Sequence, residues 1–195
     1  MNEIEVNGAS PLFNTDGLQY REFPSDFTKI RYYTLILVSS APSRIKETNL
    51  LEQQVSELIK NGIAHGNKRD PRKILKVWYN FSHKSARIIV EDQGAGFQGI
   101  EEWNKFNRRR LECLRDQNFE KLVNYISFRS HENDEKDGGN ALFAALEYWN
   151  GGLVFNDKKN AVAAKKIFSH ADAGDKLGDF QPWDIDSDRP VPGHQ

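Results

Sequence analysis

Two pairs of apolar segments along the chain predict strands that fold back on each other. Every second residue from Leu75 to Phe81 is apolar, and this alternation predicts a strand from Lys73 to Phe81. A second apolar run, Ala86 to Glu91, follows the turn-like Ser82–Ser85 segment, so the two strands form a predicted β-hairpin. Farther along, Leu153 to Asn156 and Ala161 to Phe168 predict a second hairpin that closes the domain.

Apolar residues three or four positions apart predict helices in the first third of the chain. A strand from Leu18 to Phe23 is followed by Ser25, which we expect to cap a helix running to about Ser40. A second helix should run from about Thr48 to His65, with Gly66 as its C-terminal stop.

Composition divides the remaining chain into flanking segments and one insertion. Residues 1 to 17 are polar and predict a loose arm, and residues 18 to 168 are the predicted domain. Within it, residues 98 to 136 are strongly polar and predict one or two short helices, before a helix from Asn140 to Asn150. Residues 169 to 195 hold six Asp and two basic residues, which favours a disordered acidic tail.

Charge and cysteine content exclude several classes of function. The net charge of −1 provides no basic field for direct nucleic-acid binding. No apolar run approaches the roughly 20 residues needed to span a bilayer, and the acidic start lacks a signal-peptide core. Cys113 is the one cysteine of the sequence, so no disulfide forms within the chain and a cytoplasmic location is expected.

The second predicted helix carries the first candidate for chemistry. Glu57 and Asn61 lie one helical turn apart, beside an apolar stripe formed by Leu51, Val55, Leu58, Ile59 and Gly62. A carboxylate and a carboxamide fixed in this way can hold a Mg²⁺ ion and orient an attacking oxygen. Taken alone, the pair is more typical of an ordinary solvated helix face.

Two glycine-containing segments follow. The first, Asp92 to Phe97, comes directly after a predicted strand, where Asp92 could accept a hydrogen bond from an exocyclic amine or merely cap a turn. The second, Gly138–Gly139, precedes a helix, where free backbone N–H groups could meet phosphate or where the glycines could be a simple hinge.

The three segments in this order resemble the GHKL ATPases, the superfamily of gyrase B subunits, histidine kinases and the heat-shock 90 chaperones. The resemblance covers about residues 18 to 168. Within that superfamily, Ser56 to Asn67 is most similar to the N box of the anti-sigma factor serine kinases, and Phe23-Pro24 before a helix with Arg31 resembles their opening.

The resemblance implies a Bergerat fold: a two-layer α/β sandwich in which a mixed, mostly antiparallel sheet packs on helices, here with a long helical lid insertion. It implies that Glu57 is the general base and that Asn61 binds Mg²⁺. The implied ATP-binding residues are Asp92, Gly94, Gly96, Phe97, Gly138, Gly139 and Asn140. The implied reaction is phosphorylation of a serine on an anti-anti-sigma partner with a STAS domain, in a homodimeric regulator of transcription that also binds a sigma factor.

Departures from the family's motifs support two further hypotheses. Ala141 stands where a glycine is usual, and Gly62 replaces the usual alanine at an expected loss of helix stability of roughly 0.5–1 kcal/mol. The segment Ala161–Ala164 lacks the threonine that the family commonly places near adenine. The second hypothesis is therefore a degenerate GHKL module that binds nucleotide or a partner without turnover. The third is a plain ATPase whose insertion drives a conformational cycle.

Overall fold

The computed structural model describes residues 3–43, 48–126, 128 and 140–168. The helices are α1 (Ile30–Val38), α2 (Thr48–Asn61), α3 (Ile100–Arg115), α4 (Phe119–Leu122) and α5 (Asn140–Tyr148). The strands are β1 (Glu5–Val6), β2 (Gln19–Pro24), β3 (Ile74–Phe81), β4 (Ser85–Glu91), β5 (Gly152–Phe155) and β6 (Ala161–Ile167). A π turn, Gly62–Gly66, continues α2, and 3-10 turns lie at Pro11–Phe13, Phe27–Lys29 and Val123–Tyr125.

The protein has a mixed α/β fold built on one six-stranded sheet in the order β1-β5-β6-β4-β3-β2. β1 pairs with β5 in parallel, and every other neighbouring pair is antiparallel. Both predicted hairpins are confirmed: Phe81 pairs with Ala86 in the first, and Phe155 pairs with Val162 in the second. The expectation of a mixed, mostly antiparallel sheet is therefore correct.

One face of the sheet forms the main core with the helices. Alternate residues of β3 and β4 are buried there, as the alternation of apolar residues predicts. They meet buried side chains from α1, α2, α3 and α5, among them Leu37, Ile59, Trp103 and Trp149. This arrangement is the helix layer of an α/β sandwich. Within the described residues, none of the helices combines the length and apolar character that crossing a bilayer would require.

The other face of the sheet, the outer face, carries a continuous apolar row. Val154, Ala163, Ile89, Trp78 and Tyr20 are successive cross-strand partners from β5 to β2. The first three of these are buried, Trp78 is half-buried and Tyr20 is exposed. Burial at the β5–β4 end means that something covers the sheet there, and the covering segment is the N-terminal arm.

The prediction of a loose arm was wrong for the part that the structure describes. Ile4 is buried, and its backbone N–H and carbonyl bond the Asn104 side chain at 2.8 and 2.9 Å. After β1, the turn Pro11–Phe13 lies against β6. The Asn14 carbonyl then accepts from Arg87 at 2.8 Å. The arm thus runs across the outer face from one edge of the sheet to the other.

Two helix predictions also need correction. Ser25 is buried and does not cap the first helix. The Asp26 side chain instead accepts from the Thr28 N–H at 3.0 Å and caps the 3-10 turn that leads into α1. The insertion does not begin with short helices, because α3 is continuous over 16 residues. Ile100 and Trp103 anchor α3 in the core, which the polar composition of the segment concealed.

Candidate functional site

The apolar stripe of α2 faces the core as predicted, and Glu57 and Asn61 lie beside it. Both residues are half-buried. The Glu57 carboxylate is 3.8 Å from the Lys60 ammonium, a long ion pair on the same helix. Within the described residues the Asn61 carboxamide makes no side-chain hydrogen bond. Two oxygen-bearing side chains are therefore held by a rigid helix while their polar atoms stay weakly committed.

After Asn61 the chain widens into the π turn. The Asn67 N–H bonds the Gly62 carbonyl at 2.8 Å, five residues back. A Cβ on Gly62 would lie 2.4 Å from a methyl carbon of Leu75, so this glycine allows α2 to pack closely on β3. The expected loss of helix stability is therefore only part of the effect of Gly62, because an alanine at this position would have to displace Leu75. Gly66 is likewise not a simple helix stop. It is the last residue of the π turn, and it lies against Asp92 in the folded protein.

The π turn brings Gly66 against Asp92 at the end of β4. A Cβ on Gly66 would lie 2.2 Å from the Asp92 carboxyl carbon, and one on Gly94 would lie 2.2 Å from the Gly66 carbonyl oxygen. Neither position has room for a side chain. The Gly94 N–H donates to Asp92 Oδ1 at 2.7 Å. The segment Asp92–Phe97, called here the Asp92 loop, is therefore packed directly on the end of the α2 segment.

Burial changes the acidity of Asp92. Desolvation raises the pKa of this carboxyl from 3.8 to about 6, and the nearby Glu91 carboxylate acts in the same direction. The Gly94 N–H and the Lys73 ammonium oppose the shift but do not cancel it. At neutral pH the group is mainly ionised. Its second oxygen has no hydrogen-bond partner within the described residues, so it is an acceptor available to a ligand.

Two asparagines that the sequence reasoning missed hold the Asp92 loop. On one side, Asn67 Oδ1 accepts from the Gln93 N–H at 2.7 Å. On the other, Asn160 Nδ2 donates to the Asp92 carbonyl at 2.8 Å, while the Asp92 N–H donates to the Asn160 carbonyl at 2.9 Å. Asparagine in a turn is ordinarily exposed, whereas Asn67 is fully buried and Asn160 is half-buried.

The rest of the Asp92 loop leans on the turn between β5 and β6. Gly96 has φ of +87°, and a Cβ there would lie 2.0 Å from the Lys158 carbonyl oxygen. The Phe97 N–H bonds the Lys159 carbonyl at 2.8 Å, and its ring stacks on Phe155 at 5.8 Å between centroids. The glycines predicted to admit a flat ligand are thus required first by contacts within the protein. Their contact with nucleotide stays a prediction.

The predicted phosphate-binding segment is described only at its end. Gly138 and Gly139 lie outside the described residues, as does the Asn140 side chain, although the backbone of Asn140 begins α5. Ala141, the position where a glycine is usual, is exposed in the first turn of α5.

The donor atoms suit a hard cation held by few protein ligands. The Asn61 and Glu57 side chains both offer oxygen, the ligand type that Mg²⁺ prefers, and Mg²⁺ usually takes its other ligands from phosphates and water. Within the described residues, no group of three His, Cys, Asp or Glu side chains converges to hold a metal. The residues present therefore fit a shared, phosphate-bridged ion better than a closed structural metal site.

No protein-family model matches this chain, and no curated protein matches its sequence significantly. The function is therefore argued from the residues and their geometry.

Proposed function

We propose that this protein is an ATP-binding serine kinase of the anti-sigma factor type, built on the GHKL (Bergerat) fold. It would phosphorylate a serine of an anti-anti-sigma partner with a STAS domain, and so regulate transcription by partner switching. A homodimer and a bound sigma factor are part of the same proposal. The resemblance of Ser56 to Asn67, Asp92 to Phe97 and the later glycines to the family's motifs suggested it.

One observation carries the proposal: the Asp92 carboxylate is fixed at the end of β4 with one oxygen engaged and the other available. The engaged oxygen accepts from the Gly94 N–H, so the available one can accept from the exocyclic amine of adenine. Guanine presents a carbonyl at the corresponding position, and a carboxylate would repel it. This arrangement supports selective recognition of adenine nucleotides.

The α2 side chains suit the transfer step. Asn61 would hold Mg²⁺, which supplies neutralisation of charge on the phosphates. Glu57 would accept the proton of the partner's serine hydroxyl as that oxygen bonds the γ-phosphorus. The bond between the γ-phosphorus and the β–γ bridging oxygen breaks, and ADP leaves. The carboxylate could accept this proton because its ion pair with Lys60, at 3.8 Å, is long and therefore weak.

A binding module without turnover is the second candidate. Ala141 adds a side chain to the start of α5, where a backbone close to phosphates would favour glycine. The β6 residues next to the Asp92 loop, Ala161 and Val162, have no hydroxyl to offer a nucleobase. Both departures affect nucleotide handling while leaving Asp92 unchanged.

Calorimetric titration tests nucleotide binding. The protein should bind ATP with Mg²⁺ and prefer it to GTP with Mg²⁺. Asp92→Asn should abolish this preference, because its amide oxygen would face the Gly94 N–H and its NH₂ group would face the adenine amine. If neither nucleotide bound, or if Asp92→Asn retained the full preference, the proposal would fail.

A transfer assay separates the kinase from the binding module. Radiolabel from the γ-phosphate should pass to the serine of a STAS-domain partner. Glu57→Ala should stop transfer but keep ATP binding, because Glu57 lies on α2 and not in the Asp92 loop. Binding without transfer in the unaltered protein would favour the module, and steady phosphate release without a partner would favour a plain ATPase.

A further inference from the structure

We infer that Asn67 is a positioning residue for base recognition: it fixes the Asp92 loop against the π turn and so sets where the Asp92 carboxylate meets the nucleobase. The inference rests on the proposed function, because it concerns the same nucleotide site. It gives a role in specificity to Asn67, the last residue of the Ser56–Asn67 segment, to which no role was assigned from the sequence.

Asn67 is fully buried and joins three segments of the chain. Its amide nitrogen donates to the Ser25 hydroxyl at 2.7 Å and to the Ile74 carbonyl at 3.2 Å. Its amide oxygen accepts from the Gln93 N–H at 2.7 Å. One side chain therefore connects the residue before the first helical turn, the start of β3 and the Asp92 loop.

These partners allow only one orientation of the amide. If the group were rotated by half a turn, its NH₂ would face the Gln93 N–H and its oxygen would face the Ile74 carbonyl. Gln93 completes the arrangement, because its own side-chain oxygen accepts from the Ile74 N–H at 2.8 Å. The hydrogen bonds of Asn67 and Gln93 thus fix the position of the Asp92 loop relative to the start of β3.

The position of the Asp92 carboxyl depends on this placement of the loop. Its carboxyl touches Gly66, the residue directly before Asn67, with no room for a Cβ between them. Asn67 is therefore the hydrogen-bonded link between the backbone that supports the carboxyl and the loop that carries it. On the far side, Asn160 bonds the Asp92 backbone twice. Loss of Asn67 would leave the loop held on this side only by the bond between the Gln93 side chain and the Ile74 N–H.

Calorimetry with Mg-ADP and Mg-GDP on the full chain tests the inference, with ADP used to avoid turnover. Asn67→Ala should weaken ADP binding by about tenfold, the scale expected when several hydrogen bonds to one fixed group are lost. GDP binding should change little, so the preference for ADP over GDP should shrink by the same factor. A purely structural role would instead lower the unfolding temperature without changing that preference.

Asn150→Ala is the matched control. Asn150 also bonds a backbone N–H and carbonyl, those of Ile167, at 2.8 and 3.1 Å. It lies at the opposite end of the sheet, because Ile167 pairs with Ser85 whereas Glu91 precedes the Asp92 loop. This variant should lose stability but keep both the ADP affinity and the preference for ADP.

A measurement without ligand separates failure of this inference from failure of the proposed function. NMR titration should show the Asp92 pKa moving back towards its ordinary value in Asn67→Ala, because a released loop hydrates the carboxyl. If Asn67→Ala does not fold, Ser25→Ala removes one of the three partners and should shift both readouts partway. Unchanged selectivity together with an unchanged Asp92 titration would overturn the inference. If the unaltered protein did not bind ADP, the proposed function would fail instead.

Discussion

The Asp92 loop and the half-buried Glu57 and Asn61 of α2 are the two parts of the proposed site, yet they are built differently. In the loop, Gly66, Gly94 and Gly96 have no room for a Cβ, and Asn67 and Asn160 bond its backbone from two sides. On α2, Asn61 has no side-chain hydrogen bond within the described residues, and Glu57 has one ion pair at 3.8 Å.

This difference corresponds to the two roles in the proposed function, recognition of the nucleotide and transfer of its phosphoryl group. A loop fixed before the ligand arrives loses little conformational freedom on binding, so it favours affinity and discrimination. Side chains with uncommitted oxygens can instead take up a cation and a proton as the reaction requires. Within the proposed function, the loop would therefore serve nucleotide recognition and the α2 side chains would serve phosphoryl transfer. Three predictions test this difference, beginning with the largest expected change in stability.

The largest change in stability should come from adding one methyl group to the Asp92 loop. Gly96→Ala and Gly17→Ala both place alanine at a positive φ, +87° and +73°. At Gly96 the Cβ would lie 2.0 Å from the Lys158 carbonyl oxygen, whereas at Gly17 nothing lies within 4 Å. Gly96→Ala should destabilise the fold by about 3 kcal/mol, and Gly17→Ala by about 1 kcal/mol, since only the first adds a backbone clash to the strain. Equal urea midpoints for the two variants would mean that the loop is not rigid.

A smaller effect should appear in the pH dependence of stability. The pKa of Asp92 is raised from 3.8 to about 6 in the folded protein, so the native state holds its proton more tightly than the unfolded chain does. The stability that this provides is full below pH 3.8 and is lost as the pH rises to about 6. We expect a change of roughly 1–2 kcal/mol, allowing for solvent screening of a half-buried group.

Asp92→Asn is the control for this window. The difference in unfolding free energy between the unaltered protein and the variant should fall from pH 4 to pH 6 and stay level from pH 7 to pH 8. Urea unfolding at each pH measures it. A constant difference throughout would show that the Asp92 carboxyl is hydrated and that the loop is more open than described.

The smallest change in stability should come from substitutions of the two α2 side chains. Asn61→Ala and Glu57→Ala should each alter the free energy of unfolding by less than about 0.5 kcal/mol, because neither side chain makes a strong contact within the described residues. Asn61→Ala should nevertheless remove the Mg²⁺ dependence of ATP affinity. Destabilisation above 1 kcal/mol in either variant, measured by thermal unfolding, would show that α2 is as tightly committed as the Asp92 loop.

Local patterns were sufficient for much of the fold. The alternation from Leu75 to Phe81 predicted β3, and the stripe on α2 predicted its buried apolar residues, because burial there follows helix and strand periodicity. The stripe did not predict the burial of the polar Gln54. The arm could not be predicted in this way. β1 has only two residues and its partner is β5, about 150 residues away, so no local pattern records the pairing.

The candidate site shows the same division. Asp92, Gly94 and Gly96 were found because an acidic residue and glycines after a strand form a recognisable motif. Asn67 and Asn160 were missed because their roles depend on partners such as Ser25 and Gln93, which are distant in sequence. The close packing that Gly62 allows was not predicted, since its contact with Leu75 exists only once β3 has packed.

The parallel pairing of β1 with β5 has a consequence for synthesis of the chain. Glu5 is synthesised well before its partner Val154, which follows it by nearly 150 residues. Until then the arm cannot occupy its final position, and Ile89 on the outer face has neither Ala163 beside it nor the arm to cover it. The nascent protein therefore presents an apolar sheet surface until β5 and β6 have been made, and during that interval a chaperone could bind it.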